Sequence, residues 1–140
     1  MKISTKGRYA LRLMLDLAII DSPQPVPLRD VAEREGISEK YLEQIVTQMS
    51  REGLVRSVRG AGGGYLLTRR PEEYTVGEIL RALEGSLAPV RCADDSSGCC
   101  RASQCVSLDI WIQIQEAVSS VVDNITLADM VKRYHEKCPG

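Results

Sequence analysis

"SEKYLEQIVTQMSREGLVRSVRGAGGGYLLTRR" occupies residues 38–70 and carries two hydrophobic periods in succession. Leu42, Ile45, Val46 and Met49 recur at helical spacing behind Ser38, a residue type that caps helices, and Gly53 supplies the stop. Then "LVRSVR" (54–59) alternates apolar and polar, "GAGGG" (60–64) turns, and "YLLTRR" (65–70) returns. That is a β-hairpin with a glycine-rich tip.

Working outward, "LRDVAEREG" (28–36) is a short helix ended by Gly36 and joined to the next through "GIS". Two helices so joined form a helix-turn-helix, and a hairpin directly after it gives the layout of a winged helix. "STKGRYALRLMLDLAIID" (4–21) spaces Tyr9, Leu13, Met14, Leu17 and Ala18 as a helix, with Ser4 or Thr5 as its cap. "SPQPVP" (22–27) breaks the chain after it. In "TVGEILRALEG" (75–85), Thr75 and Glu78 have capping-box spacing. A longer helix is expected from about residue 103 to 123, and "NITLADMVKRY" (124–134) starts a last one at Thr126. The fold class is therefore mainly α with a small β-hairpin. The expected divisions are the winged helix-turn-helix over residues 1–85, a cysteine-rich loop over 86–102, and the long helix with the C-terminal helix over 103–140.

The 140 residues are 44% hydrophobic and 26% charged, with no Phe, so the core rests on Leu, Ile, Val, Ala and Met. The longest apolar stretch, "LRLMLDLAII" (11–20), is interrupted by Arg12 and Asp16 and is too short to span a bilayer. The expectation is a cytoplasmic protein. Residues 1–70 hold 12 Lys and Arg against 8 Asp and Glu, whereas residues 71–140 hold 6 against 11. A basic first half beside an acidic second half points to a polyanion partner for the first alone.

Helix-turn-helix proteins lay the second helix in the major groove. Near its exposed start lie Ser38, Lys40, Tyr41 and Gln44. Ser and Lys reach phosphates, Gln bonds adenine, and Tyr contacts phosphate or a thymine methyl. In the hairpin, Arg56, Arg59, Arg69 and Arg70 flank the glycines, and Gly60 lets the backbone approach the duplex. Enzymatic readings fail: no Cys–His pairing is evident, and "GAGGG" lacks the Gly-Lys-Ser/Thr ending of a phosphate loop. No small-molecule substrate is expected.

"RCADDSSGCCRASQC" (91–105) holds four of the five cysteines. In a reducing compartment clustered thiols bind metal or sense redox state rather than form disulfides. Zinc held by Cys92, Cys99, Cys100 and Cys105, or a thiol redox switch, are the two alternatives to iron–sulfur ligation.

"MKISTKGRYALRLMLDLA", "ISEKYLEQI", "GLVRSVRGAGGGYLL" and "NITLADMV" resemble the Rrf-two family of winged-helix regulators, most closely its iron–sulfur cluster regulator (IscR-like) subgroup, over nearly the whole chain. The resemblance implies a homodimer held by the long helix and a pseudo-palindromic double-stranded DNA operator, with half-sites about 34 Å apart or a multiple of it. It also implies a repressor or activator whose cluster, most commonly 2Fe–2S, senses iron–sulfur supply or oxidative stress and tunes operator choice, cluster-assembly genes among them. Three cluster cysteines are implied here. Cys92 and Cys105 match the outer two, and Cys99 fits the middle spacing better than Cys100.

The chain departs from its relatives at the fourth ligand. Leu108 stands where the best-known IscR-like regulators carry a histidine, and Arg8 where nitric-oxide-sensing relatives carry an acid. Glu43, Asp109, Cys100 and His135 remain. Glu43 is preferred, because a free carboxylate on the reading helix would repel phosphate and ligation would neutralise it. Another kind of relative senses cysteine metabolism through a partner enzyme without metal, and the thiol cluster argues against it here.

Overall fold

Ser4 accepts a hydrogen bond from the Gly7 N–H at 3.2 Å and so opens α1 (Thr5–Ile20). In this computed structural model, which describes residues 2–95, 97, 99 and 101–139, α1 ends on Asp21 at φ 46°. Helices α2 (Leu28–Glu35) and α3 (Glu39–Arg51) follow, separated by Gly36 in the left-handed region and by the Ser38 cap. Ser38 accepts from the Tyr41 N–H at 3.3 Å. Ser4, Gly36 and Ser38 mark their boundaries as capping chemistry dictates, while α2 starts behind Pro27 without a side-chain cap.

Strands β1 (Val55–Val58) and β2 (Gly64–Leu67) pair antiparallel, Val55 opposite Leu67 and Val58 opposite Gly64. The break before α2 adds a third rung: Val26 and Tyr65 exchange both backbone hydrogen bonds, at 3.0 and 2.9 Å. Gly64 makes this approach feasible, since a Cβ there would sit 2.3 Å from the Val26 carbonyl oxygen. Beyond a short 3₁₀ turn at Pro71–Glu73 come α4 (Val76–Glu84), α5 (Arg91–Asp94), α6 (Val106–Val122) and α7 (Leu127–Lys137).

Leu13, Met14, Leu42, Ile45, Met49, Leu54, Ile79 and Leu127 share one core. Helix α7 thus packs among the N-terminal helices, and the Tyr74 carbonyl accepts from the Leu127 N–H at 3.0 Å. A smaller apolar cluster joins Val76, Leu80 and Leu87 to Val118 and Val122 of α6. Among the described residues, no helix is long and apolar enough to cross a membrane.

Three details depart from the expectations. The long helix proper begins at Val106 rather than near 103, preceded by a 3₁₀ turn at Ala102–Gln104. The cysteine-rich segment is not wholly loop. Arg91–Asp94 forms one helical turn packed on α6, where Gln115 Nε2 donates to Asp94 Oδ1 at 3.3 Å. Finally, only half of the Thr75–Glu78 capping box forms: Thr75 accepts from the Glu78 N–H, but the Glu78 carboxylate turns to Arg69 at 2.7 Å.

Asp16 is the buried charge of the α1–α2 contact, held bidentately by Arg34 at 3.0 and 2.8 Å. Arg34→Ala strands that carboxylate. Because the arginine itself is half-exposed, the cost falls at or below the lower end for buried pairs, about 2–3 kcal/mol, measurable as a lowered urea midpoint. An unchanged midpoint would show that water already screens the pair.

Candidate nucleic-acid interface and thiol segment

Buried Leu42, Ile45, Val46 and Met49 turn one face of α3 inward, so its opposite face presents Lys40, Glu43 and Gln44 to solvent, with Ser38 exposed at the cap. Tyr41 is half-buried and packs edge-to-face on Tyr9, with ring centroids 5.7 Å apart. It therefore offers less surface to a partner than Lys40 or Gln44 does.

Arg56, Arg59 and Gly60 of the hairpin are exposed. The tip is built by glycine: Gly60 and Gly62 sit at φ 102° and 80°, in the region L side chains avoid. A Cβ on Gly63 would lie 2.3 Å from the Val58 carbonyl oxygen. Among the described residues, Lys40, Arg56 and Arg59 form no ion pair, whereas Arg12, Arg34, Arg69, Arg70 and Arg81 all do. Other exposed cations, such as Arg8, Arg29 and Lys132, also stand outside these pairs; what sets Lys40, Arg56 and Arg59 apart is their place on the second helix of the helix-turn-helix and on the hairpin.

Arg69 departs from the wing role its position suggests. Its guanidinium donates to the Glu73 carbonyl at 3.0 Å and to Glu78, and lies 4.3 Å from the centre of the Tyr74 ring. The Glu78 hydrogen bond raises its pKa further above the ordinary arginine value. This is a structural arginine, and it belongs with Tyr74, a residue the sequence reading did not single out. The only sequence signal is one aromatic between a charged turn and a helix start, because its polar partners are backbone groups.

Cys92 lies half-buried on α5, Cys99 is exposed, and Cys105 is half-buried at the N-cap of α6; all three are free thiols. Cys138 is free and exposed at the end of α7. Cys100 lies outside the described residues. Asp109 is exposed on the first turn of α6, and His135 is exposed on α7 with its ring against Tyr134. Leu108 is buried, which suits its lack of a donor atom. Among the described residues, no three Cys, His, Asp or Glu side chains come together as a metal-binding group. Glu43 stands on α3, whose principal neighbours are α1, α2, α4 and β1, while α5 packs on α6. The donor chemistry of the thiol segment suits iron–sulfur ligation; the described conformation does not gather it.

Comparison with known proteins agrees with this layout. Residues 3–133 match the Rrf2 family, described as an iron-dependent transcriptional regulator. The HTH-type transcriptional regulator IscR of Serratia proteamaculans (strain 568) is 43% identical over 131 residues, 94% of this chain and 79% of that protein. Among solved structures, T. potens IscR superposes with a TM-score of 0.79 at 42% identity, covering 98% of this chain and 90% of that one. CymR, the global cysteine regulator of B. subtilis, gives 0.78 at 41% identity, covering 95% and 98%.

Proposed function

Because the chain belongs to the Rrf2 family of transcriptional regulators and is not an enzyme, we propose that it is a homodimer reading a pseudo-palindromic operator under the control of an iron–sulfur cluster. The observation that carries the reading is the placement of free cations on a helix-turn-helix followed by a glycine-tipped hairpin. Lys40 on α3 and Arg56 and Arg59 on the hairpin are exposed and unpaired among the described residues. Helix α3 enters the major groove, with Ser38 and Lys40 on phosphates, Tyr41 beside them and Gln44 on a base edge. Arg56, Arg59 and Gly60 follow the backbone into the neighbouring minor groove.

Residues 1–85 form the reading head, 86–102 the thiol segment, and 103–140 the dimerisation helix and the C-terminal helix, the latter packed on the head. Cys92, Cys99 and Cys105 hold the cluster, of the 2Fe–2S type. When bound, such a cluster supplies a centre that assembles and decays with the supply of iron, sulfide and oxidant. The thiols must give up their protons and converge to hold it, so the order of residues 91–105 is coupled to metal. Glu43 is the preferred fourth ligand, ahead of Asp109, Cys100 and His135. Glu43→Ala is expected to alter the visible spectrum, and an unchanged spectrum removes Glu43 from the set. Zinc or a bare thiol switch is the alternative outcome: colourless protein carrying zinc after anaerobic purification would establish the first.

The reading head has its own test. Arg59→Ala is expected to weaken operator binding about tenfold and to flatten the plot of log affinity against log salt by about one unit, as one lost phosphate contact requires. A full salt slope with undiminished affinity would take the hairpin off the DNA.

A further inference from the structure

We propose that Tyr74 is a positioning residue for DNA binding: its hydroxyl bolts both ends of the hairpin to the frame of the reading helix and so fixes where the wing tip meets the duplex. The proposal rests on the wing contact just described. Tyr74 has no solvent exposure. Its O–H donates to the Leu54 carbonyl at 2.7 Å, and its oxygen accepts from the Thr68 N–H at 2.9 Å and the Arg69 N–H at 3.1 Å. A phenol has one hydrogen to give and room for two to receive. The hydroxyl is saturated.

The three partners are not scattered. Leu54 is the residue before β1, and Thr68 and Arg69 are the residues after β2. One oxygen thus closes the hairpin at its base, and the Thr68 hydroxyl adds a second stitch by donating to the Gly53 carbonyl at 2.7 Å. The ring belongs to the core that holds Leu42, Ile45 and Met49 of α3. Arg69, lying over the ring, pairs with Glu78 of α4. Helix α4 is tied in turn to α3 through Gln48 Nε2 and the Ala82 carbonyl at 2.8 Å.

A two-stranded hairpin does not hold its own angle in water; here the Val26–Tyr65 rung holds one side of β2 and the Tyr74 clamp holds both strands at the base, so the position of the tip depends on the clamp as well as on the rung. Over strands of this length the tip stands about 13 Å from the base, and a tilt of about 10° moves it by about 2 Å. That displacement exceeds what a phosphate contact tolerates. Phe at this position keeps the ring in the core but leaves one carbonyl and two N–H groups without their partner.

The test is a pair of double-mutant cycles read by operator affinity. Tyr74→Phe alone is expected to weaken binding about tenfold. In an Arg59→Ala background the further loss is expected to shrink to about twofold or less, whereas in a Gln44→Ala background the full tenfold loss persists. An equal loss in all three backgrounds would overturn the proposal, since Tyr74 would then act through the stability of the whole head. Should Arg59→Ala by itself leave affinity unchanged, the wing does not touch DNA, and the underlying reading falls together with the proposal. If Tyr74→Phe does not fold, Arg69→Gln enters the same cycles, because it removes the guanidinium from the ring and from Glu78 at a partly exposed site. Its loss must likewise vanish when Arg59 is absent; persistence there overturns the proposal.

Discussion

A chain carrying Ile110→Asp together with Val121→Asp is expected to elute as a monomer, with its helical circular dichroism preserved and its operator affinity lowered at least about a hundredfold. Both residues lie on α6, where Val106, Ile110 and Val121 are 78%, 50% and 56% exposed and Leu108 alone is buried among the described residues of the helix. Substitutions at exposed positions cost a single chain little. In a symmetric pair of α6 helices, however, each aspartate would meet its own kind across the axis in an apolar seam, unpaired and desolvated. The loss of DNA affinity follows from geometry rather than from the reading head. Two linked heads on a palindrome make the second contact intramolecular, a gain of about 10²–10⁴ that a monomer forfeits. A variant that stays dimeric would place the interface elsewhere, and a monomer that binds undiminished would remove the operator symmetry from the account.

The second large effect concerns the thiols. Cys92→Ala or Cys105→Ala is expected to abolish visible absorption and acid-labile sulfide after anaerobic reconstitution, while Cys138→Ala leaves both at the level of the unaltered protein. A ligand set of three thiolates tolerates no vacancy that water must fill, whereas Cys138, free and exposed at the end of α7, lies outside residues 91–105. The same measurement separates Cys99 from Cys100: whichever alanine variant loses iron and sulfide names the middle ligand. Full retention of iron and sulfide in the Cys92 and Cys105 variants would eliminate this segment as the cluster site.

Much of the head was legible because its signals are local. Ser38, Gly36 and Thr126 end or begin their helices as capping chemistry dictates, and Thr126 with Asp129 completes the reciprocal box that Thr75 and Glu78 only half form. The difference lies in what else is near. Glu78 has Arg69 within reach across nine residues, and an ion pair with a positioned guanidinium displaces a backbone bond to the helix cap. The engagement of Arg69 is hidden from the sequence for the same reason, since its partners come from the turn and α4.

The exposure of Arg56 and Arg59 follows from their place on a hairpin with a glycine tip, yet the same tip flanks Arg69 and Arg70, which pair with acids of the following turn and helix. Tyr74 was not readable, because hydrogen bonds to carbonyls and amides leave no mark in side-chain identity. Nor does the arrangement of the cysteines follow from their spacing. A four-residue helix at Arg91–Asp94 and a 3₁₀ turn at Ala102–Gln104 set the places of Cys92 and Cys105, and backbone structure on this scale leaves no mark in the cysteine spacing.

The whole account turns on whether an inorganic centre in the thiol segment alters what α3 and the hairpin recognise. The direct measurement is a titration, under argon and at one fixed salt concentration, of a set of candidate operators with reconstituted protein and with protein stripped by chelator. The predicted result is a change in the ranking of operators between the two forms. Identical rankings with equal dissociation constants, from samples whose iron and sulfide contents differ as intended, would contradict it.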